Sequence, residues 1–337
     1  MNGTVIGIDL GTCNIKFSGK PGHLLTYEKN IIALENGHLY AYGDDAFEMY
    51  EKSPDNILVS FPIQSGVIAD YNNMQRMLNR FLEKYFRNKL KGATVLIAVP
   101  TDITEVEKRA YFDLVDSNKY KLGNIYACEK PIATAVGLGL PINDASGMLI
   151  CDIGADTTEI SVLSLGGIVI SRLLKVGGNH MINAIVSAIK TEHSLVIGYK
   201  TATNILSTIG YACDVEETSI KVVGRNMLTG FPFSVEIDSQ LVYNAIQSYF
   251  NQIVDSIKFI LERTPPELTS DIIDNGIYLS GGVSQINNIA KLISREVELD
   301  VNISEHPIEN IAFGLSAIAD DPHLLNLITL KKGKGKR

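Results

Sequence analysis

Two short stretches of the sequence constrain the fold most, because each reads as a buried strand that ends in an aspartate and turns through a glycine. The first is residues 5–12, with Asp9 at the strand end, and the second is residues 148–158, with Asp152 in the same place. A strand followed by a glycine-threonine turn exposes backbone N–H groups that bind phosphate, and a carboxylate opposite them can hold hydrated Mg²⁺. The repeat predicts two related halves that face each other across a nucleotide site.

The composition is that of a compact chain of about two domains. Of the 337 residues, 45% are hydrophobic and 20% are charged, and a domain typically takes roughly 150 residues. The four cysteines, Cys13, Cys128, Cys151 and Cys213, lie far apart and form no Cys-x-x-Cys pair. This spacing indicates neither a zinc site nor a disulfide framework, and it fits a reducing cytoplasm.

Charge is distributed unevenly along the chain. The net charge is −8, yet the last seven residues, 331–337, contain five basic side chains. An acidic body argues against a nucleic-acid partner, whereas the basic tail can add about 1 kcal/mol per charge at an anionic membrane surface. The alternative for the tail is a solvated terminus without a partner.

The first strand leaves no room for a signal peptide, and no apolar run approaches the ~18 residues that span a bilayer. We therefore expect a cytoplasmic protein whose tail is its candidate membrane contact.

Strand-like runs alternate with helical patterns along the whole sequence, which indicates an α/β fold. The predicted strands are 4–9, 30–34, 38–42, 94–99, 123–127, 148–152, 158–164, 168–174, 220–224, 276–280 and 300–304. Apolar residues at three- and four-residue spacing predict a helix over 71–91 that packs against the first sheet rather than on a membrane or a partner. The other predictions are a helix from Thr104, a helix over 239–263, helical structure over 179–212, and hairpins over 218–238 that turn at Gly224 and Gly230.

This order of elements predicts duplicated mixed-sheet cores flanked by helices, each with one small inserted subdomain. The first domain is predicted to span 1–147 and about 310–330, with its insertion at about 31–70. The second is predicted to span 148–309, with its insertion at about 179–240, and the basic tail follows at 331–337.

Nine landmarks in family order make the sequence resemble the superfamily of actin, the seventy-kilodalton heat-shock chaperones and the sugar kinases. They are Gly-Ile-Asp-Leu-Gly-Thr at 7–12, and the segments 66–70, 99–110, 131–135, 152–154, 164–169, 176–178, 264–268 and 279–282. Within the superfamily the chain is most similar to the MreB family of bacterial actins. The resemblance implies a two-domain actin-like fold around a central cleft. It also implies ATP and Mg²⁺ as cofactors. The implied partners are other copies of the chain, which would assemble into filaments of paired protofilaments that act in cell shape or motility.

The resemblance also implies a role for each matching residue. Asp9 and Asp152 would hold Mg²⁺ through water. The β-phosphate would lie on Gly11, Thr12, Cys13 and Asn14, and the γ-phosphate on Gly154, Ala155, Asp156 and Thr157. The nucleoside would lie against Thr203, Asn204, Leu206, Gly281, Gly282, Val283 and Ser284. Because the family tends to have charged side chains near position 204, nucleotide preference is less firmly implied than nucleotide binding.

Two loops depart from the family pattern at the positions that act on the γ-phosphate. The family has two glutamates before Pro131, and the second polarises the attacking water, but this chain has Glu129 and Lys130. A charged lysine cannot accept a proton from water. In the second phosphate loop, Ala155 and Asp156 replace two glycines. The candidate catalytic residues, Glu129, Lys130, Asp156 and Thr157, are therefore altered as a set.

The opposite charges of these departures suggest a compensating pair. An unpaired carboxylate beside a triphosphate costs about 4 kcal/mol at 4 Å for an effective dielectric near 20, and Lys130 is the nearest candidate to neutralise Asp156. We therefore expect a Lys130–Asp156 pair and slow or impaired ATP hydrolysis. Two unrelated surface substitutions are the alternative.

Two other functions share this fold. A small-molecule kinase needs a catalytic carboxylate and a shaped substrate pocket, and neither inserted block supplies an evident sugar site. A chaperone needs a separate peptide-binding domain, which the sequence after residue 330 does not provide. The leading hypothesis is a filament-forming protein in which weak ATPase activity controls subunit contacts through closure of the cleft.

Overall fold

The structure is a computed structural model that describes residues 4–20, 23–116 and 120–330. The basic tail at 331–337, with its predicted membrane contact, lies outside these ranges. Within them, no helix combines the length and the apolar character needed to cross a bilayer.

The described residues of the first half form ten strands and four helices. The strands are β1 (Val5–Leu10), β2 (Asn14–Lys20), β3 (His23–Lys29), β4 (Ile32–Glu35), β5 (His38–Tyr42), β6 (Ile57–Ser60), β7 (Ile63–Gln64), β8 (Val67–Ile68), β9 (Thr94–Val99) and β10 (Ile125–Glu129). The helices are α1 (Asp44–Met49), α2 (Tyr71–Phe86), α3 (Glu105–Asp116) and α4 (Lys130–Gly137).

The second half, as far as residue 330, continues with nine strands and seven α-helices. The strands are β11 (Met148–Ile153), β12 (Thr158–Ser164), β13 (Gly167–Leu174), β14 (Leu195–Val196), β15 (Ser219–Asn226), β16 (Pro232–Asp238), β17 (Ile277–Ser280), β18 (Val301–Ile303) and β19 (Thr329–Leu330). The helices are α5 (Gly178–His193), α6 (Tyr199–Ile209), α7 (Ser239–Leu261), α8 (Pro266–Asn275), α9 (Ile289–Val297), α10 (Asn310–Asp320) and α11 (Pro322–Leu325).

Two large sheets repeat one local arrangement. The six-stranded sheet has the order β19-β10-β9-β1-β2-β3, and the five-stranded sheet has the order β13-β12-β11-β17-β18. In the first, β1 pairs antiparallel with β2 and parallel with β9. In the second, β11 pairs antiparallel with β12 and parallel with β17. Each aspartate-bearing strand therefore has the same two kinds of neighbour, and the predicted duplication of mixed-sheet cores is confirmed.

Small sheets fill both predicted insertions. Strands β5, β4 and β6 form one between residues 32 and 60, and β14, β15 and β16 form the other between residues 195 and 238. The 218–238 region is a single hairpin that turns near Gly230. The expected turn at Gly224 is wrong, because this glycine lies within β15 opposite Phe233. The domain boundaries themselves stay predictions.

Helix α2 buries its apolar face as the sequence predicts. Met74, Met77 and Phe81 are fully buried and share one core with Ile8 and Phe17 of the first sheet. Asp70 begins the helix by accepting a hydrogen bond from the Asn73 backbone N–H at 3.0 Å, which satisfies a donor that the helix itself leaves free.

Helices α4 and α10 approach each other backbone to backbone. A Cβ atom on Gly314 would lie 1.8 Å from the Ala133 carbonyl oxygen, and one on Gly137 would lie 1.9 Å from the Asn310 carbonyl oxygen. Only glycine permits this separation. Since Lys130 is the first residue of α4, the crossing also fixes where this lysine enters the space between the two sheets.

Candidate functional site

The ends of the two central strands border a cleft of about 490 Å³. Most of the residues predicted from the sequence line it. They are Asp9, Gly11, Thr12, Cys13, Asn14, Lys130, Asp152, Gly154, Ala155, Thr157, Thr203, Leu206, Gly281, Gly282 and Val283. Four predicted residues are not among its lining residues, namely Glu129, Asp156, Asn204 and Ser284.

The two glycine loops close with the same hydrogen bond. The Gly11 N–H donates to the Asn14 carbonyl at 3.0 Å, and the Gly154 N–H donates to the Thr157 carbonyl at 2.8 Å. A Cβ atom on Gly11 would lie only 2.9 Å from the Asn14 oxygen, so the tight turn favours glycine. The loops face the cleft from opposite halves, as a pair of phosphate-binding turns would.

A third glycine brings the backbone of the second half against the cleft. Gly281 has φ +86°, and a Cβ atom there would lie 2.3 Å from the Ile153 carbonyl oxygen. Glycine tolerates this backbone conformation and this close contact, whereas residues with a Cβ atom do not. The next residues begin a short 3₁₀ turn in which the buried Ser284 hydroxyl donates to the Gly281 carbonyl at 2.7 Å, so Ser284 supports the turn from behind.

Two other predicted residues lie outside the lining of the cleft. Asn204 is exposed on α6. The Glu129 carboxylate lies 3.0 Å from the Lys108 ammonium, which holds it outside the lining of the cleft. Glu129 therefore does not replace the water-polarising carboxylate that the family pattern has at position 130.

The expected pairing of Lys130 with Asp156 is wrong. The Asp156 carboxylate accepts the Ser65 backbone N–H at 2.7 Å and the Asn179 side-chain amide at 2.7 Å. The Lys130 ammonium instead lies 3.6 Å from Asp9 Oδ1. Asp156 is therefore neutralised by amide donors, and it ties a loop of the first half to α5 of the second.

Asp9 has two lysines beside it. The Lys16 ammonium donates to Asp9 Oδ2 at 2.7 Å, and the exposed fraction of the two side chains is 10% and 1%. Burial raises the pKa of Asp9, but Lys16 and Lys130 outweigh burial and hold it below its usual value. Burial also acts to lower the pKa of Lys130, yet Asp9 and the other acids around it keep that pKa above its usual value. Asp9 and Lys130 are therefore both charged at neutral pH.

Glu159 is a buried acid of the cleft that the sequence analysis missed. Burial raises its pKa to about 7, although hydrogen bonds from Thr101 act in the opposite direction. Its Oε1 accepts the Thr101 backbone N–H at 2.5 Å and also the Thr101 hydroxyl. Thr101 follows β9 and Glu159 lies on β12, so this contact joins the two halves behind the cleft.

A raised acid pKa makes stability depend on pH. Below about pH 7 the folded chain keeps the Glu159 proton, whereas the unfolded chain loses it above about pH 4.5. The folded state thus binds more protons between these values, and the free energy of unfolding falls as pH rises, by up to about 1.4 kcal/mol per pH unit. We expect Glu159→Gln to flatten this slope in urea unfolding followed over the same pH window. The exposed Glu105→Gln is the control and should keep the slope, and equal slopes in both variants would contradict the assignment.

Tyr199 and Asn179 also belong to the site and were not predicted. The Tyr199 hydroxyl donates to Asn179 Oδ1 at 2.7 Å and lies 4.0 Å from Cys13 Sγ. Cys13 belongs to the first phosphate-type loop, and Asn179 holds Asp156 of the second. The tyrosine therefore links both loops. Tyr199 and Cys13 are 186 positions apart in the sequence, so no local pattern reveals their contact.

Known proteins resemble this chain over nearly its whole length. The family model described as MreB/Mbl protein matches residues 3–326. The cell shape-determining protein Mbl of Bacillus subtilis is 34% identical over 320 residues, which covers 94% of this chain and 96% of Mbl. The chain belongs to the MreB/Mbl family. Its actin-like fold, predicted from the sequence, is confirmed by solved structures.

Two structures of MreB5 of Spiroplasma citri match this MreB/Mbl chain closely. The one bound to ADP has a TM-score of 0.90 and 31% identity and covers 97% of this chain and 98% of MreB5. The one bound to AMPPNP has a TM-score of 0.88 and 32% identity, with coverage of 94% and 96%. MamK in its double helical filament shares the fold, with a TM-score of 0.80 and 22% identity over 95% of this chain and 99% of MamK.

The Mg²⁺ that the MreB resemblance assigns to Asp9 and Asp152 can be tested against the donors present. Carboxylate oxygens suit Mg²⁺, but both oxygens of Asp9 already face ammonium groups at 2.7 and 3.6 Å. Within the described ranges, no group of three His, Cys, Asp or Glu side chains is placed to hold a metal ion. Direct coordination of a divalent cation by Asp9 does not fit these contacts, whereas the predicted hold of Asp9 and Asp152 on Mg²⁺ through water stays a prediction.

Proposed function

We propose that this MreB/Mbl-family chain binds ATP in the cleft, assembles with copies of itself into actin-like filaments, and hydrolyses ATP slowly. The observation that carries the proposal is the pair of glycine loops with matching closing hydrogen bonds on opposite sides of one cleft. The nucleotides bound by MreB5 support it, since that protein shares the fold at a TM-score of 0.90. A calorimetric titration of ATP that gave no binding to folded protein would refute it.

The proposed slow hydrolysis depends on Lys130. This lysine stands where the family has the glutamate that polarises water, and its ammonium keeps its proton because acids surround it. Glu129 is held by Lys108, and Glu159 accepts two hydrogen bonds from Thr101. Among the described residues, none of these carboxylates is arranged as a free general base for water.

Restoring a carboxylate at this position should raise phosphate release. We expect Lys130→Glu to increase the steady-state rate by about tenfold or more in excess Mg²⁺, because a positioned base contributes roughly 10²-fold or more to such steps. The control is Lys130→Met, which removes the same ammonium without supplying a base and should give no such gain. An unchanged rate in Lys130→Glu with normal ATP binding would contradict the proposed role of position 130.

Self-assembly has a candidate contact in the β15–β16 hairpin. Five of its large apolar side chains are exposed, namely Val223, Met227, Leu228, Phe231 and Phe233. Leu228 and Phe231, at the turn, are 85% and 72% exposed. Exposed apolar groups that cluster in this way mark interaction surfaces, and we assign this one to another copy of the chain, because the similar MamK forms a filament.

Removing the apolar turn should weaken assembly. We expect the double variant Leu228→Ser, Phe231→Ser to raise the critical concentration about thirtyfold, which corresponds to the ~2 kcal/mol of a contact hot spot. Sedimentation with ATP over a range of protein concentrations measures it. The matched control is Leu165→Ser, which changes a leucine 68% exposed on the β12–β13 turn. Equal loss in both variants, or none in either, would exclude the hairpin as the contact.

A further inference from the structure

Lys16 is held at the floor of the cleft by the first sheet. In the β1–β2 ladder it lies directly opposite Asp9, and its ammonium donates to Asp9 Oδ2 at 2.7 Å. The residue is 8% exposed and lines the cleft. A cross-strand position of this kind fixes the side chain more firmly than a loop would, so the positive charge is part of the folded scaffold.

Lys130 brings a second positive charge to the same place from another element. It begins α4 directly after β10, and its ammonium lies 3.6 Å from Asp9 Oδ1. That oxygen is buried and has no hydrogen-bond partner among the described residues. The titratable groups around Lys130 are Asp9, Tyr111, Asp152 and Glu159. Two ammonium groups thus stand among three carboxyl groups, and both lysines line the cleft.

This arrangement changes the charges that surround a bound triphosphate. Two bare carboxylates in a phosphate cleft repel the ligand, and a divalent cation has to offset both. Here Lys16 and Lys130 already lie beside Asp9, and their charges also act on Asp152, although burial keeps the pKa of Asp152 raised. Among the described residues, neither ammonium donates to a backbone group that would prevent it from turning toward a phosphate. Ammonium groups are well suited to this contact, since charge-assisted bonds to phosphate are short and strong.

We infer that Lys16 and Lys130 supply the positive charge that a divalent cation supplies elsewhere, so that the cleft binds a metal-free nucleoside triphosphate nearly as tightly as its magnesium complex. The inference rests on the proposed binding of ATP and specifies the form of the ligand. The two lysines come from separate elements, β2 and α4, and both lie beside Asp9. Their juxtaposition is therefore a feature of this fold and not of a local motif.

Calorimetric titration of ATP into the full chain, in excess MgCl₂ and in excess EDTA, tests the inference. We expect the two dissociation constants to agree within about threefold. In EDTA, Lys130→Met should weaken binding about tenfold, and Lys16→Met with Lys130→Met about a hundredfold, because each charge-assisted contact contributes roughly a factor of ten. The control Lys108→Met removes a lysine that pairs with Glu129 outside the cleft and should change neither constant.

The outcomes separate this inference from the proposed function. Binding in MgCl₂ but not in EDTA overturns the role of the lysines and leaves ATP binding intact. Absence of binding in both solutions overturns both. Metal-free binding that survives Lys130→Met unchanged overturns the assignment to that residue. The comparison of the two solutions uses the unchanged chain, so it decides the question even where the double lysine variant does not fold.

Discussion

Gly314→Ala is expected to lower the free energy of unfolding by about 3 kcal/mol. Helix propensity alone favours alanine over glycine by about 1 kcal/mol in a helix interior, and Gly314 lies within α10. The new Cβ atom would, however, lie 1.8 Å from the Ala133 carbonyl oxygen and 3.0 Å from the Gly137 nitrogen. Both are backbone atoms, which cannot rotate away, so α4 and α10 have to separate. Overpacking typically costs about 1–3 kcal/mol and occasionally more. We place this site at about 4 kcal/mol, above that usual range, because two backbones have to separate, so a net loss of about 3 kcal/mol remains after the gain in propensity.

Urea unfolding followed by circular dichroism measures this loss. The matched control is Gly167→Ala at the start of β13, where the nearest atom to a new Cβ is 3.9 Å away, and it should stay within about 0.5 kcal/mol of the unchanged chain. Because α4 begins at Lys130, we also expect Gly314→Ala to weaken ATP binding at temperatures where the variant is folded. A variant as stable as the control would show that the two helices tolerate a wider separation.

Much of the fold could be predicted because its central strands are apolar runs that end in glycine turns. Strands β5, β9 and β12 have the predicted bounds. Strands β2 and β3 were missed because polar residues interrupt their pattern. Lys16 and Ser18 are both buried in β2, and a lysine reads as exposed unless its partner is known. That partner, Asp9, is seven residues earlier and on the neighbouring strand, so the burial becomes visible only with the register.

The site was predicted where one residue type determines the geometry and missed where distant side chains meet. The glycine loops at Gly11 and Gly154 belong to the first kind. The partner of Asp156 belongs to the second, since Ser65 is 91 positions away. The sequence indicated that the Asp156 carboxylate needs to be neutralised and named Lys130 as the candidate partner. The sequence could not tell which carboxylate Lys130 contacts, because a lysine side chain is long enough to reach any of several carboxylates around one cleft.

Asp9→Asn is expected to lower the free energy of unfolding by about 3 kcal/mol in the absence of nucleotide. Asparagine matches aspartate in size, so the main change is the charge that Lys16 and Lys130 share. Removing one partner of a buried ion pair leaves an uncompensated charge, and such losses reach about 3–5 kcal/mol. The lower end is expected here, since Asp152 and Glu159 remain near Lys130. ATP in EDTA should stabilise the variant more than the unchanged chain, because its phosphates provide the missing negative charge.

A double-mutant cycle shows whether this loss comes from the lysine. Lys16→Met removes the ammonium and leaves an apolar side chain of similar length, so Asp9→Asn with Lys16→Met has no unpaired charge at this contact. We expect the double variant to recover at least about 2 kcal/mol of the loss, with urea unfolding as the measurement. If the losses of the two single variants simply add, Asp9 and Lys16 are not coupled. The same cycle repeated with ATP in EDTA should lose part of the extra stabilisation seen in Asp9→Asn, because the Lys16 ammonium is then absent and only Lys130 remains to meet the phosphates.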